Sequence, residues 1–498
     1  MKRFDNTLLI VAAAMTLTAA GCGGSFKPVD APNPWADRYD NVATADSMAF
    51  WAAYNVHDPC IRKFGDTYYC YSTDAAWWPP RPPKKDSTNA QASQQEKPNR
   101  PRPKMGNVPM RKSNDLVHWE FAGFAFDSIP AEAWNHVYPI SGNKTSRGLW
   151  APFVYQEGDT YRMYYCLSTF GEKVSYIGLA ESKSPLGPWL PKGCVVKTDS
   201  ASVMNAIDPT IIENHETHQL WMVYGSFFGG IFAVELDHKT GLTLKEGDQG
   251  HLVAHRANYQ VDNMEAPEVI YNPDTKKYYL FVSYGPLVTT YNVRVAVADK
   301  PEGPYKDYLG VDPRGEVNTF PVLTAPYRFE NHGGWQGMAH CTCFDDGNGN
   351  YYLASQGRLQ CEPGMMDLCI RRMDFREDGW PMVSPERFAG EQQQSLSKSD
   401  LYGEYEVIRI VDNYVEKELS DGQSNVLLAE EVNVSERVQI CGDNVSDFED
   451  GAFTLTLKNT KITGVKSYIG HDWENQKLTV LFTGIDNQGF AVWGKRIN

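Results

Sequence analysis

Past its first twenty residues, this sequence has no apolar run approaching the ~18 residues that a membrane-crossing helix requires. It has no positive surplus either: 47 Lys and Arg stand against 62 Asp and Glu, a formal net charge of -15. That balance excludes nucleic acid and an anionic membrane surface as partners, because both demand a basic face. Zinc spacing is missing too, with no Cys-x-x-Cys pair and no Cys/His array among the 10 cysteines. After Cys22 an odd number remains. Several sit in apolar runs such as Tyr69-Cys70-Tyr71, where buried free thiols are the better reading; Cys361 and Cys369 are placed so that they could pair. Long stretches of helical periodicity are scarce, which leaves strands as the main element. A neutral ligand fits what is left.

The N-terminus is a targeting segment. Lys2 and Arg3 precede an apolar run, which ends at Ala19-Ala20-Gly21-Cys22. A basic start, a short apolar stretch and small residues before a cut site make a secretory signal. The ending resembles a bacterial lipobox, with Ala19 in place of the usual Leu, so Cys22 is expected to carry lipid. One acyl chain binds weakly, and a stable anchor needs several.

A repeat sets the fold. Five times a polar turn leads into an aromatic-rich run: Tyr68-Tyr69-Cys70-Tyr71, Tyr161-Arg162-Met163-Tyr164, Leu220-Trp221-Met222-Val223, Tyr278-Tyr279-Leu280-Phe281 and Tyr351-Tyr352-Leu353-Ala354. Gly/Asn/Asp turns between apolar runs are hairpin signals. Repeated units of this kind predict an all-β, five-bladed β-propeller over residues 51–390. Residues 79–104 are rich in Pro, Lys, Arg, Gln and Ser and read as a loop inserted in the first blade. Residues 1–21 form the signal and 22–50 a tether. A Gln/Ser-rich linker over 390–400 leads to a separate small C-terminal β-barrel or sandwich, 401–498.

One strand before each aromatic run stand His57-Asp58-Pro59, Trp150-Ala151-Pro152, Ile207-Asp208-Pro209, Glu265-Ala266-Pro267 and Ala339-His340-Cys341. Equivalent places at the start of each innermost strand converge on a propeller axis. Asp58, Asp208, Glu265, His340 and Trp150 would therefore ring it. Paired carboxyl groups of this kind hydrolyse glycosidic bonds: one protonates the leaving oxygen while the other activates water. Glu268 is a rival acid, although alternation along a strand turns it to the face opposite Glu265.

These motifs, with Asn205-Ala206-Ile207-Asp208-Pro209 and Tyr224-Gly225-Ser226-Phe227, resemble glycoside hydrolase family 43, and within it the two-domain bacterial endo-α-1,5-L-arabinanases. The resemblance implies an inverting hydrolase with Asp58 as general base and Glu265 as general acid. Asp208 becomes the third carboxylate, which holds the acid and keeps it protonated. It also implies sugar contacts at His57, Asp74, Trp150, Phe170, Gly171, Asn205, Gly225, Ser226 and Phe227. His340 resembles the histidine that holds a hydrated cation, often calcium, although Ala339-His340-Cys341 departs from the usual Gly-His-Asn. Calcium prefers oxygen ligands, so waters would supply most of them.

The expected partner is arabinan or an arabino-oligosaccharide, bound by a monomer that is exported and meets membrane only through a lipid anchor. Two alternatives compete. One is an exo-α-L-arabinofuranosidase or β-xylosidase on the same fold. The other is a non-catalytic surface propeller that binds sugar, which would have no need of three carboxylates. Trp473 and Trp493 in the C-terminal part suit either a binding face or a core.

Overall fold

Each aromatic-rich run forms the second strand of an antiparallel sheet. The first sheet comprises β1 (His57–Phe64), β2 (Thr67–Thr73), β3 (Asn107–Ser113) and β4 (Glu120–Phe126). After α1 (Ala131–Ser141), the second comprises β5 (Trp150–Glu157), β6 (Thr160–Leu167), β7 (Ser175–Ser182) and β8 (Leu190–Thr198). The third is β9 (Thr210–Glu213), β10 (Leu220–Tyr224), β11 (Ile231–Leu236) and β12 (His251–Ala254). The fourth is β13 (Met264–Asn272), β14 (Lys277–Tyr284), β15 (Asn292–Ala298) and β16 (Val322–Thr324). In each of the four, strands that are consecutive in sequence are neighbours in space. The computed structural model describes residues 53–74, 106–256, 263–315, 318–330, 332–360, 363–364, 366–411 and 432–497. The signal segment, Cys22, the tether, the 79–104 insertion and Cys361 lie outside them.

The turn between the first two strands of each sheet needs a left-handed residue. Gly65 (φ 61) and Gly158 (φ 59) supply it in the first two sheets, and His218 (φ 58) and Lys276 (φ 56) in the next two. Where glycine is absent, an asparagine at the end of the inner strand compensates. Asn214 Oδ1 accepts from the Glu216 amide, and Asn272 Oδ1 from the Asp274 amide, each making an Asx turn.

After β17 (Tyr327–Arg328) and β18 (Trp335–Gln336) comes a larger sheet. In it β19 (Thr342–Asp345), β20 (Tyr351–Leu359), β21 (Asp367–Phe375) and β22 (Pro381–Val383) pair in that order, and β18 also joins β20. The innermost strands neighbour one another in a closed order, β1–β5–β9–β13–β19 and back to β1. All of them line a cavity of about 520 Å³ with Arg62, Phe153, Ile211, Val269 and Cys343. The arrangement is all-β and propeller-like. Hydrophobic clusters lie between successive sheets; one joins Tyr164, Ile177 and Leu179 of the second to Met222, Tyr224 and Val234 of the third. The bridge between Tyr54 and Asp367 and the bond from the Leu368 amide to Ala53 O tie the start of the described chain to β21.

The C-terminal part contains β23 (Gly403–Arg409), β24 (Asn433–Val434), β25 (Glu436–Ile440), β26 (Val445–Glu449), β27 (Ala452–Leu457), β28 (Thr460–Asp472), β29 (Lys477–Ile485) and β30 (Ala491–Arg496). All but β24 form one antiparallel sheet of order β25-β23-β30-β29-β28-β27-β26. This part is less separate than its sequence implies. β24 pairs with β17, and Ile408, Ile410, Ala491 and Trp493 share a core with Tyr327, Trp335 and Leu359. Trp493 and Trp473 are both buried, Trp473 donating its indole N–H to Arg387 O, so both belong to packing.

The segment read as a linker is docked as well. Gln393 donates to Ile469 O and accepts from the Ile469 amide, while Glu391 is buried. A Gln/Ser-rich composition misleads here because its side chains satisfy a strand's backbone. At the same seam the Lys495 ammonium lies among Glu386, Glu406, Asp472 and Glu474. The described cysteines are free, including Cys369. No helix among the described residues is long and apolar enough to cross a membrane.

Candidate active site

The five sequence triplets share a backbone feature. Their middle residues, Asp58 (φ 50), Ala151 (φ 37), Asp208 (φ 58), Ala266 (φ 55) and His340 (φ 50), are all left-handed. Such a conformation costs about 1–3 kcal/mol at a non-glycine residue and persists where the surroundings enforce it. The pairing register also shifts between His57 and Cys60, between Trp150 and Phe153, and between Glu265 and Glu268. Bulges at the head of inner strands re-aim the side chains there. Asp58, Asp208 and His340 thus hold equivalent positions, while His57, Trp150 and Glu265 stand one residue earlier.

Asp58 sits between two imidazoles. Its Oδ2 lies 2.8 Å from His57 Nδ1 and its Oδ1 2.8 Å from His340 Nδ1. Thr73 Oγ1 donates to Oδ2 at 2.7 Å and in turn accepts from the Ala151 amide at 2.8 Å. Burial would raise the Asp58 pKa, but His340 and His57 outweigh it and hold the carboxyl well below the usual range. Asp208 has the opposite balance. Burial pushes it well up against the opposing charge of His340, and Glu265 and Asp58 add to the rise. For His340, burial works downward, yet Asp58, Asp208 and Glu265 carry its pKa to about 10.

Glu265 is half-buried, and both its oxygens are engaged. Ser226 Oγ donates to Oε2 at 2.7 Å, and Tyr291 OH donates to Oε1 at 2.6 Å. The Gly225-Ser226-Phe227 turn stitches two strands together. The Gly225 amide donates to Ile207 O beside Asp208, and the Phe227 amide to Met264 O beside Glu265. Gly225 has φ +135, and a Cβ there would lie 2.3 Å from Gly230 O, so this turn demands glycine.

Glu268 does not turn away as simple alternation predicts, because the bulge after Glu265 resets the pleat. It is buried and meets other inner strands. Oε1 accepts from Arg62 at 3.1 Å, Thr342 at 3.2 Å and the Cys343 amide at 3.1 Å, and Oε2 accepts from Thr210 at 3.2 Å. Its lone pairs are spent on holding strands together.

The remaining expected residues differ in exposure and partners. Phe170 is 78 % exposed on the turn after β6, next to Gly171 (φ 75), and Trp150 is half-buried. Asn205 is buried and accepts from Ser175 Oγ. Asp74 is buried, taking Asn55 Nδ2 on Oδ1 at 3.1 Å and the Gly106 amide on Oδ2 at 2.6 Å. It thereby clasps together the two chain ends that flank the insertion. Tyr291, Thr73 and Ser283, whose Oγ accepts from the His340 amide, were not legible as site residues. They lie outside the strand starts that carry the repeat, and only the paired register brings them in.

Three carboxyl groups, of Asp58, Asp208 and Glu265, at the head of inner strands in a propeller-like fold are the groups that hydrolysis of a glycosidic bond requires. The family model described as glycosyl hydrolases family 43 matches residues 52–381, and one described as a C-terminal lipocalin-like domain matches 385–494. The chain belongs to glycoside hydrolase family 43. It is 29% identical over 502 residues to an extracellular endo-α-(1→5)-L-arabinanase of Thermotoga petrophila, covering 90% of this chain and 94% of that one. It is 26% identical over 347 residues to an extracellular exo-α-(1→5)-L-arabinofuranosidase of Cellvibrio japonicus, covering 66% of this chain and 86% of that one. The crystal structure of a Thermotoga petrophila endo-1,5-α-L-arabinanase in complex with TRIS superposes with a TM-score of 0.71 at 27% identity, over 91% of this chain and 100% of that one.

Proposed function

We propose that this protein is an endo-arabinanase that cleaves internal α-1,5-L-arabinofuranosidic bonds with inversion. Asp58 removes a proton from the attacking water as general base, and Glu265 protonates the leaving oxygen as general acid. The observation that carries the reading is the geometry of the carboxyl groups at the head of the inner strands: Asp58 is held between His57 Nδ1 and His340 Nδ1 at 2.8 Å each, and Glu265 is held by Ser226 and Tyr291, with Asp208 as the third carboxyl group beside them. The similarity to an endo-acting relative across both parts of the chain supports arabinan and internal cleavage. Trp150 and Phe170 offer faces for furanose rings, with Gly171 beside Phe170 as a further contact. His57, Asp74, Asn205 and the 225–227 turn support the site, and sugar contacts there belong to the same proposal.

Several finer points join it. The sheet of β19 to β22 counts as the fifth blade, because β19 closes the ring of inner strands. The boundaries 51–390 and 401–498 belong to the same proposal. A hydrated calcium at His340 would be held through Nε2, since Nδ1 is given to Asp58, with waters as its other ligands. It would stand where that nitrogen otherwise carries a proton, and it would contribute positive charge among the carboxylates. The extracellular relatives support export. Lipid on Cys22 and a monomeric state complete the proposal.

The test is hydrolysis of linear arabinan by the parent, Asp58→Ala and Glu265→Ala. The parent should release a ladder of oligosaccharides, and each variant should lose about 10²–10⁴ in rate. Release of arabinose alone would overturn endo action, and undiminished variants would overturn the acid–base assignment.

A further inference from the structure

Tyr291 is a residue for which the sequence offered no role. It stands immediately before β15, is 1% exposed, and is packed with Val293, Ala339 and Cys341. Its hydroxyl donates to Glu265 Oε1 at 2.6 Å. We infer that Tyr291 is a positioning residue for the general acid: it fixes Oε1, leaves Oε2 to deliver the proton, and stabilises the carboxylate that this delivery creates. The inference rests on the assignment of Glu265 as the acid.

Three observations support it. First, the two oxygens of Glu265 are not equivalent. A phenol hydrogen lies near the plane of its ring, and that ring is locked by packing, so the bond to Oε1 stays in place. The Ser226 hydroxyl on Oε2 rotates about a single bond and can donate or accept. Second, burial and the neighbouring carboxylates raise the phenol pKa well above its ordinary value, so Tyr291 remains a donor throughout the working pH range. Third, a donor aimed at a carboxyl group gains most when that group becomes charged. In the reaction the proton on Oε2 passes to the glycosidic oxygen. The bond between the anomeric carbon and that oxygen breaks, its electron pair staying on the oxygen, and Glu265 is left as a carboxylate. The Tyr291 bond is therefore stronger after proton transfer than before it.

Dependence on the leaving group tests this. An arabinosyl leaving group needs the proton, whereas nitrophenolate leaves without one. Parent, Tyr291→Phe and Glu265→Gln are compared on arabinohexaose and on the nitrophenyl glycoside of arabinotriose. The ratio of kcat/KM for the two substrates, measured on one preparation, is independent of the folded fraction. Tyr291→Phe should lower kcat/KM on arabinohexaose about ten- to a hundredfold, the effect of losing a hydrogen bond to a charged group. Its loss on the nitrophenyl substrate should be at least tenfold smaller, and Glu265→Gln should show the same split more strongly. Equal losses on both substrates for Tyr291→Phe, or no loss on arabinohexaose, would overturn the inference while a split in Glu265→Gln leaves the acid assignment standing. If Glu265→Gln shows no split, both fall.

Discussion

His332, at the seam between the propeller-like part and the C-terminal sheet, should make the protein acid-sensitive in a defined window. Its Nδ1 accepts the Gly334 amide at 2.7 Å, a bond that requires an unprotonated nitrogen, and its ring stacks on Trp335 at 5.9 Å. Burial, and then the charges of Lys495, Arg387, Arg371 and Arg328, push its pKa down to about 3 against the Glu474 carboxylate, which lies 3.4 Å from Nε2. An unfolded histidine titrates near about 6.5. The unfolded chain therefore binds the proton first, and stability is greatest above pH ~6.5 and falls as the pH drops toward the folded value. By pH 5 the loss from this one group is ~2 kcal/mol, from ~1.5 pH units at 1.36 kcal/mol each. Urea unfolding of the parent and of His332→Asn at pH 7, 6 and 5 isolates it. The variant should be less stable at pH 7, and its deficit should shrink by ~2 kcal/mol at pH 5 as the parent loses its advantage. Two parallel pH curves would refute the reasoning, as would an NMR titration of the His332 ring near its ordinary value.

Three further outcomes are expected. Glu268→Ala should destabilise the fold by about 3 kcal/mol, because it leaves the Arg62 guanidinium without its buried partner, while the folded enzyme keeps its kcat; a collapse of kcat would make Glu268 the acid. Phe170→Ala should leave the unfolding free energy within about 0.5 kcal/mol of the parent, since the side chain is 78 % exposed, but raise KM on arabinan roughly tenfold. An unchanged KM would remove Phe170 from the sugar path. Gly225→Ala should cost at least ~2 kcal/mol, from the left-handed backbone and the approach to Gly230 O, and should lower kcat as the turn between Asp208 and Glu265 shifts. Parent-like stability and rate would show that the turn tolerates a side chain.

What was legible in the sequence was what repeats. A turn followed by an aromatic strand marked the second strand of each sheet, and the residue before proline marked the head of most inner strands, which brought Asp58, Asp208 and Glu265 into view. What was not legible depends on pairing. Thr73 reaches Asp58 from the far end of β2, past its aromatic run, and Tyr291 reaches Glu265 from just before β15, and Glu268 faces the inner strands because a bulge alters the pleat, which composition does not record. The supporting role of the Gly225-Ser226-Phe227 turn emerges only from its amide bonds to Ile207 and Met264. Likewise, Gln393 looks like linker until the Ile469 backbone is seen opposite it.

The clasp between Asp74 and the Gly106 amide separates two kinds of evolutionary freedom. Lengthening a chain already closed at its neck costs little additional entropy, growing only with the logarithm of its length. Residues between the clasped ends can therefore be gained, lost or rewritten without disturbing β2, whose Thr73, one residue before Asp74, donates to Asp58. Selection can change the length and composition of that segment while Thr73 and Asp58 stay fixed.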